Sequence, residues 1–368
     1  MTSSAETAGT GGNRLAFLDG LRGIAVILMV VNHTSRWWID ISMGLPRYFL
    51  VYGSLLQPGA IFLFLVGFCL PISYHAAGAR AGGPAALLVR YGRRGLSVIG
   101  AGLLLNLLAF RDDPVWSWGV LQTIGLSIVV IAPLMPLLRY PQARGALLVL
   151  AVLFYVSFGW MVPTLQIWTR AHPVAARLWF LEFPPWPWLA GPLIGLVAGW
   201  WWLDARARGE TAERRYFVAT TAVGIAFLAA YMAWELLFPT TPGFEFRRDY
   251  MVNRHWTPRG ATNLLIIGSV ASLLGAMYWI QEVRRRPLAW LVVLGRAALA
   301  VYFLHHFLVL TLLQETLKVQ FHRWTLYIAA NVLLMVVLVW LGKAWLWLSP
   351  RVRSLWRKPA EGRGAVAR

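Results

Sequence analysis

Long apolar segments recur along almost the whole chain and are separated by short polar and basic stretches. Most of them are about 20 residues long, the length that an α-helix needs to cross the hydrocarbon core of a bilayer. The pattern predicts an all-α protein, a polytopic transmembrane helical bundle with about ten spans. The predicted spans are 17–38, 48–74, 93–110, 116–138, 145–162, 186–203, 217–238, 260–281, 288–313 and 326–348. The segment 288–313 has a second interpretation, a short re-entrant or interfacial piece that ends near Arg296 and is followed by a span.

The composition excludes a soluble globular protein and changes how the charge is interpreted. The 368 residues are 58% hydrophobic and 13% charged, with a mean hydropathy of +0.59, values that fit a membrane protein. A net charge of +19 would suit nucleic-acid binding, but Lys and Arg fall in the gaps between apolar runs. That distribution indicates topology signals and contacts with anionic lipid. We therefore expect a lipid bilayer and no nucleic acid as partner.

The basic residues also predict an orientation. With the N-terminus in the cytoplasm, and with the span-end residues Arg93 and Arg94 counted as cytoplasmic and Arg36 as outer, 20 of the 34 Lys and Arg residues are cytoplasmic, 11 are outer and three lie within spans. Because cytoplasmic loops are enriched in Lys and Arg, both termini are predicted to be cytoplasmic. The predicted domains are a disordered tail at 1–13, one transmembrane domain at 14–350 and a basic cytoplasmic tail at 351–368. The first thirteen residues lack a basic n-region and a cleavage site, so no cleaved signal peptide is predicted.

Three ionisable residues lie inside the first predicted span, ahead of Arg36 at its end. Asp19 and Arg22 are three residues apart, so a helix places them on one face near its start. His33 follows eleven residues after Arg22, about 16 Å further along the helix axis. Charged groups in hydrocarbon are costly unless they are paired or line a wet cavity, so the pattern indicates a functional site. The alternative is an ion pair at the cytoplasmic surface, with His33 among the headgroups at the other end of the helix.

The same stretch carries a family resemblance. Leu18-Asp-Gly-Leu-Arg22-Gly-Ile-Ala25, followed by His33, resembles the opening motif of the integral-membrane acyltransferases. These are the acyltransferase-3 family and its heparan-α-glucosaminide N-acetyltransferase-like relatives, and the wording of Met29–Asn32 is closer to the second group. The block from Leu294 to His305 is similar to the family's closing pattern, although Ala298 stands where a Ser is common and a second His follows at 306.

The resemblance implies an enzyme and its substrates. Such an enzyme moves an acyl group, acetyl as the first expectation, from cytoplasmic acyl-CoA to a hydroxyl or amino group of an extracytoplasmic carbohydrate or glycolipid. Acetyl-CoA is thus the implied co-substrate, and no metal is expected. A bacterial inner (plasma) membrane is the expected location, and the sequence leaves a homodimer open. The single Cys69 allows no intrachain disulfide and makes a Cys-based metal site implausible.

Within this interpretation the first span supplies the chemistry. His33 is assigned as the general base near the acceptor, because imidazole accepts a proton at neutral pH. An acyl-imidazole formed on His33 as nucleophile is the alternative. Asn32 is expected to hold the acyl carbonyl or the acceptor, and Arg22 with Asp19 to support the donor.

Further candidates bind the donor or line the tunnel. Three cations lie at the inner start of the third span, Arg90, Arg93 and Arg94, and they are expected to bind CoA phosphates or to act only as topology signals. Gln122 is expected to be a buried amide that lines the tunnel through the bundle. His305 is predicted to be a hydrogen-bonding residue of the tunnel wall, or else a structural His. His306 is predicted to be structural. Neighbouring helical residues point about 100° apart, so the two histidines are not expected to face one metal easily.

Other candidates are predicted to contact the acceptor. The segment 239–259, which contains His255, is polar, aromatic and charged, so it is either a recognition loop or a solvated connector. Glu235 is a candidate for orienting His33 or binding the acceptor, with an interfacial position as the alternative. Trp37 and Trp186 are candidates for stacking on a sugar ring, although aromatic belts are expected at span ends anyway.

Two other functions are compatible with these residues. One is a proton-coupled transporter of a polar or anionic solute, which would use the same buried Arg and His. The chain lacks the related halves with matching broken helices that such transporters usually have. The other is a degenerate family member that only scaffolds a glycan-synthesis complex, and the intact Arg22, His33 and His305 argue against it.

Overall fold

The computed structural model describes residues 15–43, 58–77, 83–110, 113–175, 183–237 and 262–356. These residues form a bundle of helices, and within them the extended pairing is an isolated parallel bridge between Ile39 and Phe321. In chain order the α-helices are α1 (Ala16–Trp38), α2 (Pro58–Ala77), α3 (Pro84–Ala109), α4 (Val120–Ile131), α5 (Pro141–Ala171), α6 (Ala190–Ala207), α7 (Glu210–Leu237), α8 (Thr262–Tyr278), α9 (Ala289–Arg296), α10 (Ala298–His306) and α11 (Trp324–Trp356).

Shorter helical segments continue or connect several of these helices. A 3₁₀ segment, Ala132–Arg139, extends α4, and π-helical segments follow α8 and α10 at Trp279–Val283 and Phe307–Thr316. A 3₁₀ turn at Ile41–Met43 follows α1, and a single helical turn at Pro185–Trp188 precedes α6.

Within the described part of the chain, eight helices are long and apolar enough to cross a membrane, judged by length and composition. They are Ala16–Trp38, Pro58–Ala76, Val120–Arg139, Pro141–Phe158, Glu210–Trp234, Thr262–Val283, Ala298–Thr316 and Trp324–Arg351. This confirms the predicted all-α membrane protein. The predicted spans 93–110 and 186–203 overlap α3 and α6, which carry charges in the first half and the last turn respectively. The total of ten and the side of the termini stay predictions.

The helix predicted at 288–313 is interrupted. The first piece, α9, ends at Arg296, and Ala297 has non-helical torsion angles (φ −93°, ψ 11°) before α10 begins. The second interpretation of this segment, a short piece followed by a span, therefore describes the fold. Glycine at 295 permits the close packing here, because a Cβ at that position would overlap the carbonyl oxygen of Asp19 on α1.

The direction of the helices gathers the polar residues of interest at one end of the bundle. The last turns of α1 and α3 lie beside the first turns of α2 and α4, and all four contribute to one cavity. We call this the His33 end and the opposite one the Arg22 end. At the Arg22 end the interior is filled by aromatic rings, with Phe17 edge-on to Phe217 and the rings of Phe217 and Tyr278 stacked 3.7 Å apart.

Candidate active site

A cavity of about 460 Å³ opens at the His33 end of the bundle. That volume lies within the range of pockets for small ligands, roughly 300–1,000 Å³. α1 contributes Asn32 and His33, and the segment after α10 contributes Leu310 and Glu315. The remaining wall comes from the ends of α2, α3 and α4, the connection between α3 and α4, Tyr302 and His306 of α10, and Phe183.

Buried polar residues, charged residues and aromatic rings line the cavity. The buried polar residues include Asn32, 5% exposed, and Gln122, 2% exposed. Gln122 also closes the start of α4: its Oε1 accepts from the Gly119 backbone N–H at 3.2 Å, and its Nε2 donates to the Ser117 carbonyl at 3.2 Å. Further polar and aromatic lining residues are Arg36, Trp37, Asn106, Phe110, Asp113, Trp118 and Tyr302. Such a lining can bind a polar ring on both its faces and its edges.

Three histidines meet beside this cavity. Nδ1 of His33 lies 2.8 Å from Nε2 of His305. The ring of His306 is edge-on to that of His33, with centroids 4.9 Å apart. Nδ1 of His305 lies 3.0 Å from the Val301 carbonyl oxygen, and Nδ1 of His306 lies 2.7 Å from the Tyr302 carbonyl oxygen. Two adjacent residues of α10 thus present their imidazoles to the same residue of α1.

The three rings are close enough to raise the question of a metal. One candidate ligand nitrogen from each ring lies within 4.8 Å of the others. Although neighbouring helical residues point about 100° apart, the ring centroids of His305 and His306 are only 4.1 Å apart. Nitrogen ligands lie about 2.0–2.1 Å from a tetrahedral Zn²⁺, so two of them are about 3.3 Å apart. The 2.8 Å between His33 and His305 favours a hydrogen bond at that pair.

A second polar cluster lies at the Arg22 end, about 16 Å away along α1. Nη1 of Arg22 is 2.5 Å from Oδ1 of Asp19, which confirms that the two residues share one face of the helix. Nη2 of Arg22 lies 2.9 Å from Sγ of Cys69 on α2. Arg22 and Asp19 are not among the described residues that line the cavity, so the two clusters are separate.

The family model described as heparan-alpha-glucosaminide N-acetyltransferase, catalytic, matches residues 14–236, more than half of the chain. The chain belongs to this family. No curated protein matches it. The match extends from the first span to α7 and includes Arg22, Asn32 and His33.

Membership of the heparan-α-glucosaminide N-acetyltransferase family identifies a membrane enzyme of the acetyltransferase type. This family agrees with the sequence Met29–Asn32, which resembles the heparan-type enzymes. The likeness to the acyltransferase-3 family stays a resemblance. The matched range ends before α10, so the family match says nothing of His305 and His306. Their placement beside His33 comes from the fold.

The structure separates the predicted site residues into groups. His33, Asn32, Gln122 and Trp37 line the cavity, and the ring centroids of His33 and Trp37 are 4.9 Å apart. His305 is hydrogen-bonded but 0% exposed, and it is His306 that lines the cavity. His306 is itself only 1% exposed, and its structural role stays a prediction.

Other predicted residues lie elsewhere. Arg90, Arg93 and Arg94 are exposed in the first half of α3, towards the Arg22 end. Nε1 of Trp186 donates to the Phe154 carbonyl at 3.0 Å and approaches the Ser157 hydroxyl at 3.1 Å, so its indole edge packs on α5 rather than lining the cavity. His255 and the side chain of Glu235 lie outside the described residues.

Sequence reasoning assigned no role to several cavity residues. Glu315 lies near the end of the π-helical segment after α10, and Asp113 lies in the connection after α3. Neither residue was predicted to be part of a site, because acidic residues between spans are common. Asn106 lies within a predicted span, and its Nδ2 donates to the carbonyls of Val115 and Ser117 at 3.0 and 2.7 Å. An amide within an apolar run indicates a polar site inside the bundle. Here the Asn106 amide holds the connection between α3 and α4 by hydrogen bonds.

Proposed function

We propose that the protein transfers an acyl group, acetyl in the first instance, from cytoplasmic acyl-CoA to a hydroxyl or amino group of an extracytoplasmic carbohydrate. His33 acts as the general base. The observation that carries this proposal is the cavity in which His33 and Asn32 lie beside aromatic and charged side chains, in a chain of this acetyltransferase family. The integral-membrane location follows from the apolar helices.

The reaction needs one proton to move twice. As the acceptor oxygen or nitrogen bonds to the thioester carbonyl carbon, Nε2 of His33 takes the proton of that O–H or N–H group. The carbon–sulfur bond then breaks, and His33 returns the proton to the leaving sulfur. The products are an acetylated acceptor and a thiol, with no change of oxidation state. General acid–base catalysis of this kind contributes typically about 10²–10⁴-fold to the rate.

Asn32 precedes His33 and lines the same cavity. Its side-chain amide supplies a hydrogen-bond donor for the carbonyl oxygen as negative charge develops there, a contribution that is worth about 10²–10³-fold where it has been measured. The aromatic wall, Trp37 above all, offers a face for the acceptor ring.

The donor requires a second place for its phosphates. A cavity of about 460 Å³ is in the range that accommodates an acceptor ring and the thioester end of the donor. Several cations lie towards the Arg22 end, where Arg90, Arg93 and Arg94 are exposed and Arg22 is paired with Asp19. In the proposal these residues hold the donor's phosphates, and the acyl group reaches His33 through the bundle.

The experiment that tests the proposal is an acetyl-transfer assay on the detergent-purified protein. Acetyl-CoA carrying a labelled acetyl group is offered with glucosamine, which has an amine, and with N-acetylglucosamine, which has only hydroxyls. We expect labelled product and released thiol with the wild type, and a loss of about 10²–10⁴-fold with His33→Ala. His75→Ala is the matched control, because His75 is an exposed histidine on α2. Equal turnover by the His33 variant would remove His33 from the mechanism.

A transporter is the second candidate, because a half-buried Asp19–Arg22 pair and buried histidines are also what proton coupling requires. The two functions differ in the fate of the solute. Vesicles loaded with labelled acetyl-CoA and bathed in an amino sugar distinguish them. An enzyme yields acetylated sugar, whereas a transporter accumulates the unmodified sugar inside.

A further inference from the structure

We infer that His305 is a positioning residue that fixes the tautomer of His33, so that Nε2 of His33 is the basic nitrogen. This inference rests on the proposed function only for the role of His33 as base. It concerns a residue outside the range of the family match, and it follows from a chain of three hydrogen-bonding groups: the Val301 carbonyl, the imidazole of His305 and the imidazole of His33.

The chain starts at a group that can only accept. Nδ1 of His305 lies 3.0 Å from the carbonyl oxygen of Val301, four residues earlier on the same chain. A carbonyl oxygen has no hydrogen, so the hydrogen of this bond belongs to Nδ1 of His305. His305 is 0% exposed, and a buried cation is costly, so its ring is neutral. In a neutral imidazole with hydrogen on Nδ1, Nε2 is an acceptor.

The next group must then donate. Nε2 of His305 lies 2.8 Å from Nδ1 of His33, within normal hydrogen-bond distance. Since Nε2 of His305 accepts, Nδ1 of His33 carries the hydrogen. The neutral ring of His33 consequently has its lone pair on Nε2, which points away from His305.

The arrangement of the rings supports this pairing. The planes of His33 and His305 differ by only 10°. If these two rings were stacked face to face, their atoms would be about 3.5 Å apart. Nδ1 of His33 and Nε2 of His305 are only 2.8 Å apart, so the rings meet edge to edge in nearly one plane. That is the direction in which an imidazole N–H donates. His306, which is tilted 62° to His33, presents no such edge-to-edge arrangement.

The consequence concerns the cavity. His33 lines it, whereas His305 is not among its described lining residues. The nitrogen Nδ1 of His33 is therefore bonded within the protein, and the inference assigns Nε2 to the acceptor. A neutral histidine holding a catalytic histidine in this way resembles the part that an aspartate has in hydrolase triads, where it holds the correct tautomer. The neutral partner adds orientation without adding a negative charge.

Two substitutions and one control test the inference. His305→Gln places a side-chain carbonyl near the position of Nε2 and so keeps an acceptor for His33. His305→Leu removes the acceptor and keeps the volume approximately. His75→Leu is the control, because Nδ1 of His75 lies 2.9 Å from the Pro71 carbonyl in the same i, i−4 geometry, away from His33.

The first readout is the ¹⁵N spectrum of protein with labelled histidine in lipid, since protonated and unprotonated ring nitrogens have separate shifts. The chain has seven histidines, so the His33 signals are assigned by their loss in His33→Ala. We expect the wild type and His305→Gln to hold hydrogen on Nδ1 of His33, and His305→Leu to show a mixture. A wild-type signal with the hydrogen on Nε2 would overturn the inference.

The second readout is the acetyl-transfer rate. We expect His305→Leu to lower kcat by about 10- to 100-fold, with KM for acetyl-CoA unchanged, as part of the 10²–10⁴-fold due to the base. We expect His305→Gln to recover most of that loss and His75→Leu to change nothing. Equal kcat values for Leu and Gln variants would refute a positioning role. If the spectrum shows the expected tautomer but the wild type acetylates no acceptor, the proposed function fails and the tautomer assignment stands.

Discussion

The hydroxyl of Thr34 provides the most quantitative test of how the site is held in place. Thr34 follows His33 on α1 and is 0% exposed. Its Oγ1 lies 2.7 Å from Oδ1 of Asn331 and 3.1 Å from the hydroxyl of Tyr327, both on α11. The substitution Thr34→Val keeps the shape and removes the hydroxyl. Nδ2 of Asn331 keeps its bond to the Tyr327 carbonyl at 2.9 Å, so the amide oxygen is the group that loses its partner.

The expected loss of folding stability follows from Oδ1 of Asn331, which loses its hydrogen-bond partner. A buried acceptor without a partner costs about 1–3 kcal/mol, while hydrogen bonds between transmembrane helices average about 0.6 kcal/mol with a maximum near 1.7. We expect Thr34→Val to lower the free energy of unfolding by about 1–1.5 kcal/mol. The matched control is Ser127→Ala on α4, whose buried hydroxyl bonds only to the Thr123 carbonyl of its own helix at 2.7 Å. It should cost less, because no second helix loses a partner.

The assay is a double-mutant cycle in detergent micelles. Thr34→Val, Asn331→Leu and the double variant are unfolded by denaturant, and the coupling energy is taken from the three differences. We expect a coupling of about 0.5–1.5 kcal/mol. Additive effects, with no coupling, would show that the bond between α1 and α11 does not stabilise the bundle, and the reasoning from buried acceptors would fail here.

Three further predictions concern packing, donor and acceptor. Gly295→Leu should prevent α9 from packing on α1 and strongly lower the yield of folded protein in fluorescence-detected chromatography, whereas Gly100→Leu should not, because no atom lies within 4 Å of a Cβ there. Arg22→Ala should reduce the thermal shift given by acetyl-CoA, because the donor's phosphates lose a cation; an unchanged shift would place the phosphates elsewhere. Trp37→Ala should raise KM for the acceptor in steady-state kinetics, while Trp186→Ala should not, because only the first indole lines the cavity.

The helical class of the fold could be predicted from hydropathy because each span satisfies its backbone hydrogen bonds within itself. The signal is therefore local. The break at Ala297 was one of two interpretations of 288–313, and no Pro marks it. α3 was predicted to begin at residue 93 but begins at Pro84, since the helix continues through Arg90, Arg93 and Arg94 on an exposed surface.

The candidate site was predicted less completely, for a different reason. His33 and Asn32 could be found because they lie in one motif, and Arg22 with Asp19 because their spacing is helical. The contact of His305 with His33 joins residues that are 272 positions apart in the sequence, and no single-sequence pattern predicts such a pairing. The same holds for Cys69 beside Arg22, 47 positions apart.

That last contact has a practical use. The chain contains a single cysteine, and Sγ of Cys69 lies 2.9 Å from Nη2 of Arg22. A thiol-reactive fluorophore or spin label would therefore attach at one defined place in the unaltered protein, next to the guanidinium that the proposal assigns to the donor. Protection of this thiol by added acetyl-CoA, followed as a labelling rate, would give donor occupancy directly and without any engineered residue.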